Sequence, residues 1–190
     1  MLSSMTAKLR AQNRVKAHRI ELNLREVGQL FNTMDPSPFH EKDLDDEAEA
    51  FIVSWAREFP LDEPIELVVH LATVPREQET QPMIERAVRH YFAYRVERNR
   101  LELRHLMQDG LRSLLTGMLF LAACLTVSRF LVGEGAGAFS ALARESLAIG
   151  GWVAMWRPME IYLYDWWPLV RRDRILKKLS QIPVEVLERE

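Results

Sequence analysis

The side chains best suited to chemistry gather in one stretch, FNTMDPSPFHEKDLDDE, Phe31 to Glu47. His40, Glu41 and Asp43 set an imidazole beside two carboxylates, a donor set that suits a hard or borderline divalent metal. The spacing matches no calcium loop, because no glycine stands at the tight-turn position, and there is no HExxH pair. The competing reading is a charged helix start. Ser37-Pro38 has the order of an N-cap followed by the residue favoured at the first helical position. Asp43 suits an N-cap, and Asp45 and Asp46 suit the positive end of a helix. Asp43, Asp45, Asp46 and Glu47 together also make an acidic surface that would suit a basic protein partner.

A second group of charges interrupts an apolar stretch, MWRPMEIYLYDWWP, Met155 to Pro168. Arg157 and Glu160 are three apart, so a helix would pair them across one turn. Asp165 has Arg171 and Arg172 nearby in sequence. Pro158 would bend or restart the helix there. Charges at membrane depth can mark an ion or proton path. Here no chain of further acids follows, and snorkelling, mutually neutralised interfacial charges account for the pattern. Tyr162, Tyr164, Trp166 and Trp167 form the aromatic belt expected at headgroup depth.

Other chemistry finds little support. His18, His40, His70, His90 and His105 show no triad-like grouping, and no phosphate loop, GxSxG or GxGxxG occurs. The single cysteine, Cys124, excludes an intrachain disulfide and a cysteine-based zinc site. No catalytic residue and no cofactor are implied. A net charge of −2 gives no reason to expect a nucleic-acid partner.

These groups need elements to hold them. Of 190 residues, 48% are hydrophobic and 27% charged, and the two kinds are segregated. Charge dominates 1–112 and apolar residues dominate 113–168. Ser113 to Val132 is long enough for the ~20 residues that cross a bilayer, if Arg129 lies near an interface. The next uncharged centre, Ser146 to Trp156, is short. Arg144 and Arg157 flank it about 20 Å apart at 1.5 Å per residue, so both would reach headgroups. The alternatives are a buried helix for the first run and a re-entrant or surface-lying helix for the second. The GEGAGA turn, Gly133 to Ala138, makes the pair an antiparallel hairpin. Arg95, Arg98, Arg100, Arg104 and Arg112 precede it, and Arg171, Arg172, Arg174, Lys177 and Lys178 follow it. The turn has neither Lys nor Arg, so both termini are expected in the cytoplasm. That basic collar suits anionic lipid headgroups. Ser146, Gly150 and Ala154 form a small-residue face, with Ala122 and Thr126 as a similar patch on the first run. It fits packing within the hairpin or between protomers of a homo-oligomer.

The remainder reads as a small α/β domain. Arg19–Arg25 and Pro64–Ala72 alternate as strands with one covered face. Between them a helix would bury Ala48, Phe51, Ile52, Trp55 and Phe59. A second helix starts near Pro82 with an apolar stripe of Met83, Ile84, Ala87, Val88, Tyr91 and Phe92, and either runs on into the first apolar run or breaks near Gly110. After the hairpin come a basic helix and a third strand, Ile182 to Glu188, that rejoins the sheet or else remains a tail. Helices would cover one sheet face. The other, with Glu21, Asn23, Arg25, Glu66, Val68, His70 and Glu185, would meet water or a weak self-contact. The organisation expected is a polar arm over 1–17 with no signal-peptide core, a cytoplasmic α/β domain over 18–110, a transmembrane helical hairpin over 111–168, and the returning segment over 169–190.

The stretches MDPSPFHEKDLDDEAEAFIVSWAREFP and GGWVAMWRPMEIYLYDWWP resemble those of a family of two-span bacterial integral membrane proteins. In it a short cytoplasmic region precedes two apolar segments, and no catalytic residue is assigned. The resemblance implies a multi-pass protein of the bacterial inner membrane. The expectation is a membrane-anchored, non-enzymatic interaction or scaffold protein. The alternatives are an oligomeric transport or channel subunit and a membrane-tethered enzyme or metal binder using the His40–Asp46 loop.

Overall fold

The structure, a computed structural model, describes residues 17–32, 34–36, 42–72, 80–131 and 138–189. Three strands, β1 (His18–Leu24), β2 (Ile65–Leu71) and β3 (Val184–Glu188), form one parallel sheet in the order β1-β2-β3. Ile20 pairs with Leu67, and Leu67 with Val184, so inward side chains align across the sheet. Parallel strands need long crossovers, usually helical. The first contains helix α1 (Asp46–Glu58). The second holds everything from residue 72 to 183, beginning with the 52-residue helix α2 (Thr80–Leu131).

The chain divides into two compact units. The first comprises Met1–Arg98 and Arg172–Glu190, and the second is Asn99–Arg171. In the first, Ile20, Leu22, Leu67, Val69, Leu71 and Val184 meet Ala48, Ile52 and Ala56 of α1. Ile84, Val88, Tyr91 and Phe92 of α2 join the same core, so its expected stripe is the buried one. Ile175, Leu176 and Leu179 complete it from helix α5 (Trp166–Leu179). The last strand does rejoin the sheet. Pro183 precedes β3 at an edge, where its missing N–H costs nothing, and its carbonyl accepts from the Leu67 amide at 3.0 Å.

Three expectations are corrected. The core face of α1 is Ala48, Ile52 and Ala56, while Phe51 and Trp55 remain 38% and 40% exposed. Small residues let α1 approach the sheet closely, which turns the large rings onto its shoulder. Asp45, not Asp43, caps α1, its carboxylate accepting from the Glu47 amide at 3.0 Å. The far sheet face is not simply wet. Glu66 and Val68, on the middle strand, are only 1% and 2% exposed. Arg19 reaches within 3.9 Å of the Glu66 carboxylate. Of the two readings of α2, the continuous helix is the one found: it runs unbroken through Gly110.

The second unit holds the rest of α2, helix α3 (Ala138–Val153), a turn at Ala154–Met155, helix α4 (Trp156–Glu160), a π-helical segment (Ile161–Asp165) and the start of α5. Pro158 lies in the first turn of α4, where a proline is tolerated, so the helix restarts there. The GEGAGA turn lies outside the described residues, apart from Ala138.

Candidate functional site

In the first unit the polar centre is Glu49 on α1. It accepts from the Tyr91 hydroxyl at 2.5 Å and pairs with Arg95. Tyr91 and Arg95 are one turn apart on α2, with the guanidinium 6.0 Å from the phenol ring centre. Glu49, Ser54, Arg57, Arg95, Arg172 and Leu176 line a cleft of about 330 Å³. Burial, and then the hydrogen bond to Glu49, hold the Tyr91 phenol protonated far above the ordinary tyrosine range. Such a phenol neither gives nor takes a proton near neutral pH, which argues against acid–base catalysis by it. The sequence marked Tyr91 only as apolar. A buried tyrosine one turn before an arginine was the available signal, because its hydroxyl needs a partner.

Burial pushes the Lys178 ammonium downward, against the upward pull of Asp62 and Glu63. Its Nζ donates to the Pro60 carbonyl at 2.8 Å, fixing α5 to the turn after α1.

The metal reading gains no geometry. Among the described residues no group of three or more His, Cys, Asp or Glu side chains is arranged to hold a metal. His40 and Glu41 lie outside the described residues. Asp43 belongs to a closed loop: its amide donates to Asp35 at 2.8 Å and its carbonyl accepts from Asn32 at 2.8 Å. Asp43, Asp46 and Glu47 are exposed, and Asp45 is half-buried by its capping role.

In the second unit the seam is made by glycines. A Cβ at Gly110 would lie 2.9 Å from Ile161 Cγ2. One at Gly117 would lie 2.9 Å from the Ala154 carbonyl oxygen, and one at Gly151 would lie 2.6 Å from Leu121 Cδ1 and 3.5 Å from Cys124 Cβ. As α2 ascends from 110 to 124, its partners descend from 161 to 151, so the two segments pack antiparallel. Gly110, Gly117 and Cys124 recur at two-turn spacing, on one helix face. The expected small-residue face is used in part. Ala154 joins the seam, Ser146 is exposed, and a Cβ at Gly150 would meet nothing within 4 Å. Ala122 and Thr126 are exposed too.

Outside this seam, many large apolar side chains of the unit are exposed. Leu115, Leu119, Phe130, Leu142, Ile149 and Trp152 are all exposed, Leu119 by 73% and Phe130 by 83%. The Thr116 and Thr126 hydroxyls donate to carbonyls one turn back, at 2.8 and 2.7 Å, so neither needs water. Among the described residues α2 is the one helix long and apolar enough, by length and composition, to cross a membrane, and only 17% of its most apolar stretch is buried.

Arg157 pairs with Glu160 at 3.0 Å, as its spacing required. It also pairs with Asp165 at 3.2 Å, a partner that the sequence neighbourhood of Asp165, with Arg171 and Arg172, did not mark. Along an α-helix each residue turns about 100°, so Asp165 would stand about 80° away from Arg157. The wider turn of the π segment takes up that difference. Tyr162, Tyr164 and Trp167 are exposed around this triad. Trp166 donates its indole N–H to the Tyr162 carbonyl at 2.9 Å and lies tilted against Trp167. Arg171 is exposed and Arg172 half-buried.

No protein-family model, curated protein or solved structure matches the chain.

Proposed function

We propose that the protein is a membrane-anchored, non-enzymatic interaction or scaffold protein of the bacterial inner membrane. In this reading 111–168 crosses the bilayer twice, and the α/β unit stands in the cytoplasm with both chain ends. One observation carries it: many bulky apolar side chains between Leu115 and Trp167 are exposed, while Gly110, Gly117 and Gly151 face the helix contact. In water that arrangement would expose a contiguous apolar surface far beyond what soluble monomers show. In lipid it leaves apolar groups against acyl chains and small residues at the helix contact.

Two further features support it. The Arg157–Glu160–Asp165 triad and its aromatic ring have the composition of a headgroup-level belt. The Lys and Arg residues that flank the apolar pair, and their absence from the turn, favour a cytoplasmic collar against anionic lipid. The inner-membrane assignment rests on the resemblance of Met34–Pro60 and Gly150–Pro168 to two-span bacterial proteins.

The test is alkaline extraction of isolated membranes together with a reporter fused after the last residue. The expected result is retention in the pellet and a reporter active only in the cytoplasm. Release by carbonate removes the anchor, and a periplasmic reporter removes the topology. A monomeric mass in detergent would set aside the channel-subunit alternative.

A further inference from the structure

Helix α1 carries a second apolar row beside its core face, anchored at one end where Phe59 packs against the core and exposed at Phe51 and Trp55. Ala48, Ile52 and Ala56 face the sheet. On the adjoining shoulder Phe51, Trp55 and Phe59 follow at one-turn spacing, their ring centres 6.0 and 6.4 Å apart. His18, at the start of β1, extends the row by stacking on Phe59 at 4.3 Å, and is held there by Glu63. Phe51 and Trp55 stay more than a third exposed. Phe51–Trp55 and Trp55–Phe59 meet as tilted pairs, so each ring already has a neighbour that restricts it before any partner docks.

The charge around this ridge selects its partner. Glu47 stands one turn before Phe51, and Glu58 lies three positions after Trp55. Asp62 and Glu63 close the far end. Glu47, Glu58 and Asp62 are exposed, as is half of the Glu63 side chain. Among the described residues, Lys178 is held at this end by the Pro60 carbonyl, and His18 pairs with Glu63. The remaining excess of carboxylates would be repelled by an anionic lipid surface. Two ridges brought face to face would oppose like charges, which disfavours a second copy. An amphipathic helix with basic edges satisfies both requirements: its apolar face meets the rings, and its Lys and Arg meet the carboxylates.

We infer that the Phe51–Trp55–Phe59 ridge is a docking surface for a basic amphipathic segment of another protein. This deepens the scaffold reading and rests on it for the ridge's cytoplasmic position.

The experiment replaces Phe51 in the full chain, in cells, by a benzophenone-bearing phenylalanine and irradiates. The expected adduct is a peptide of another protein with net positive charge and apolar residues at helical spacing. Trp55→Ala should lower its yield at least about tenfold, as for an aromatic anchor. Glu47→Lys with Glu58→Lys should lower it about three- to tenfold, without touching the core. Circular dichroism of each variant confirms that the fold persists. A lipid adduct, a peptide of this same chain, a captured segment without net positive charge, a yield indifferent to charge reversal, or no adduct would each overturn the inference. Fractionation of the same cells reports anchoring separately, so a released protein that still gives the basic adduct would sink the membrane reading and leave the ridge standing.

Discussion

Leu67 and Leu119 are the same side chain in opposite surroundings. Leu67 sits in the middle strand with none of its surface exposed, ringed by residues of α1, α2 and α5. Leu119 lies on α2 with most of its surface exposed. The first unit keeps its apolar groups inside and its charge outside. In the second, large apolar side chains such as Leu119 and Phe130 stay exposed around a glycine seam. α2 runs through both, so helix formation by itself does not decide which side chains are buried.

The largest expected effect tests that contrast directly. Leu67→Ala should destabilise the first unit by about 2–5 kcal/mol, read by thermal unfolding of the detergent-purified chain. Leu119→Ala should leave the same transition almost unchanged. Leu119→Arg should instead cost about 2.5–3.5 kcal/mol in a membrane-insertion assay if it lies mid-bilayer. Equal responses of the two leucines to alanine would erase the distinction.

The seam offers the next effect. Gly117→Val forces a branched side chain against the Ala154 backbone, so a loss of about 1–3 kcal/mol is expected. Gly150→Ala has open space and should be neutral or stabilising by up to about 1 kcal/mol. Thermal melts of the two variants in one detergent decide it, and a Gly150 variant as damaging as the Gly117 variant would misplace the seam.

Alkaline titration probes the first unit alone. The unfolded tyrosine ionises near its ordinary pKa of about 10. Folded Tyr91 keeps its proton well beyond that. Above pH ~10 the native state therefore binds more protons than the unfolded state, and stability falls as pH rises. Tyr91→Phe should flatten that fall, and phenolate absorbance should show one tyrosine fewer among the late-titrating groups. An unchanged slope would contradict the buried hydrogen bond to Glu49.

The smallest effect is expected at the triad. Arg157 is more than half exposed, so Arg157→Ala should cost less than about 1 kcal/mol in micelles at moderate salt. A larger loss would mean that the π segment depends on this ion pair.

Much of the fold was legible because it follows from local periodicity. The alternation of Ile65, Leu67, Val69 and Leu71 identified a strand, and the stripe from Ile84 to Phe92 identified a buried helix face. The Arg157–Glu160 pair followed from a three-residue spacing. The misreadings share one cause. Phe51 and Trp55 looked like core because they are large and apolar, but the sheet selected the smaller Ala48 and Ala56. Gly110 was one place where α2 could break, yet the helix continues and the glycine supplies the space that Ile161 occupies. Asp165 had Arg171 and Arg172 nearby in sequence, while the π turn carried it to Arg157.

The sequence alone determined which segments are strands, which are helices and which stretch has a membrane's length and polarity, because backbone geometry imposes fixed periods of two and 3.6 residues on any chain. Only the tertiary structure decided which face of α1 is buried, which glycines make the seam, and that β3 returns to pair with β2. Those choices depend on surfaces that meet from distant parts of the chain, and no local period records the shape of the partner.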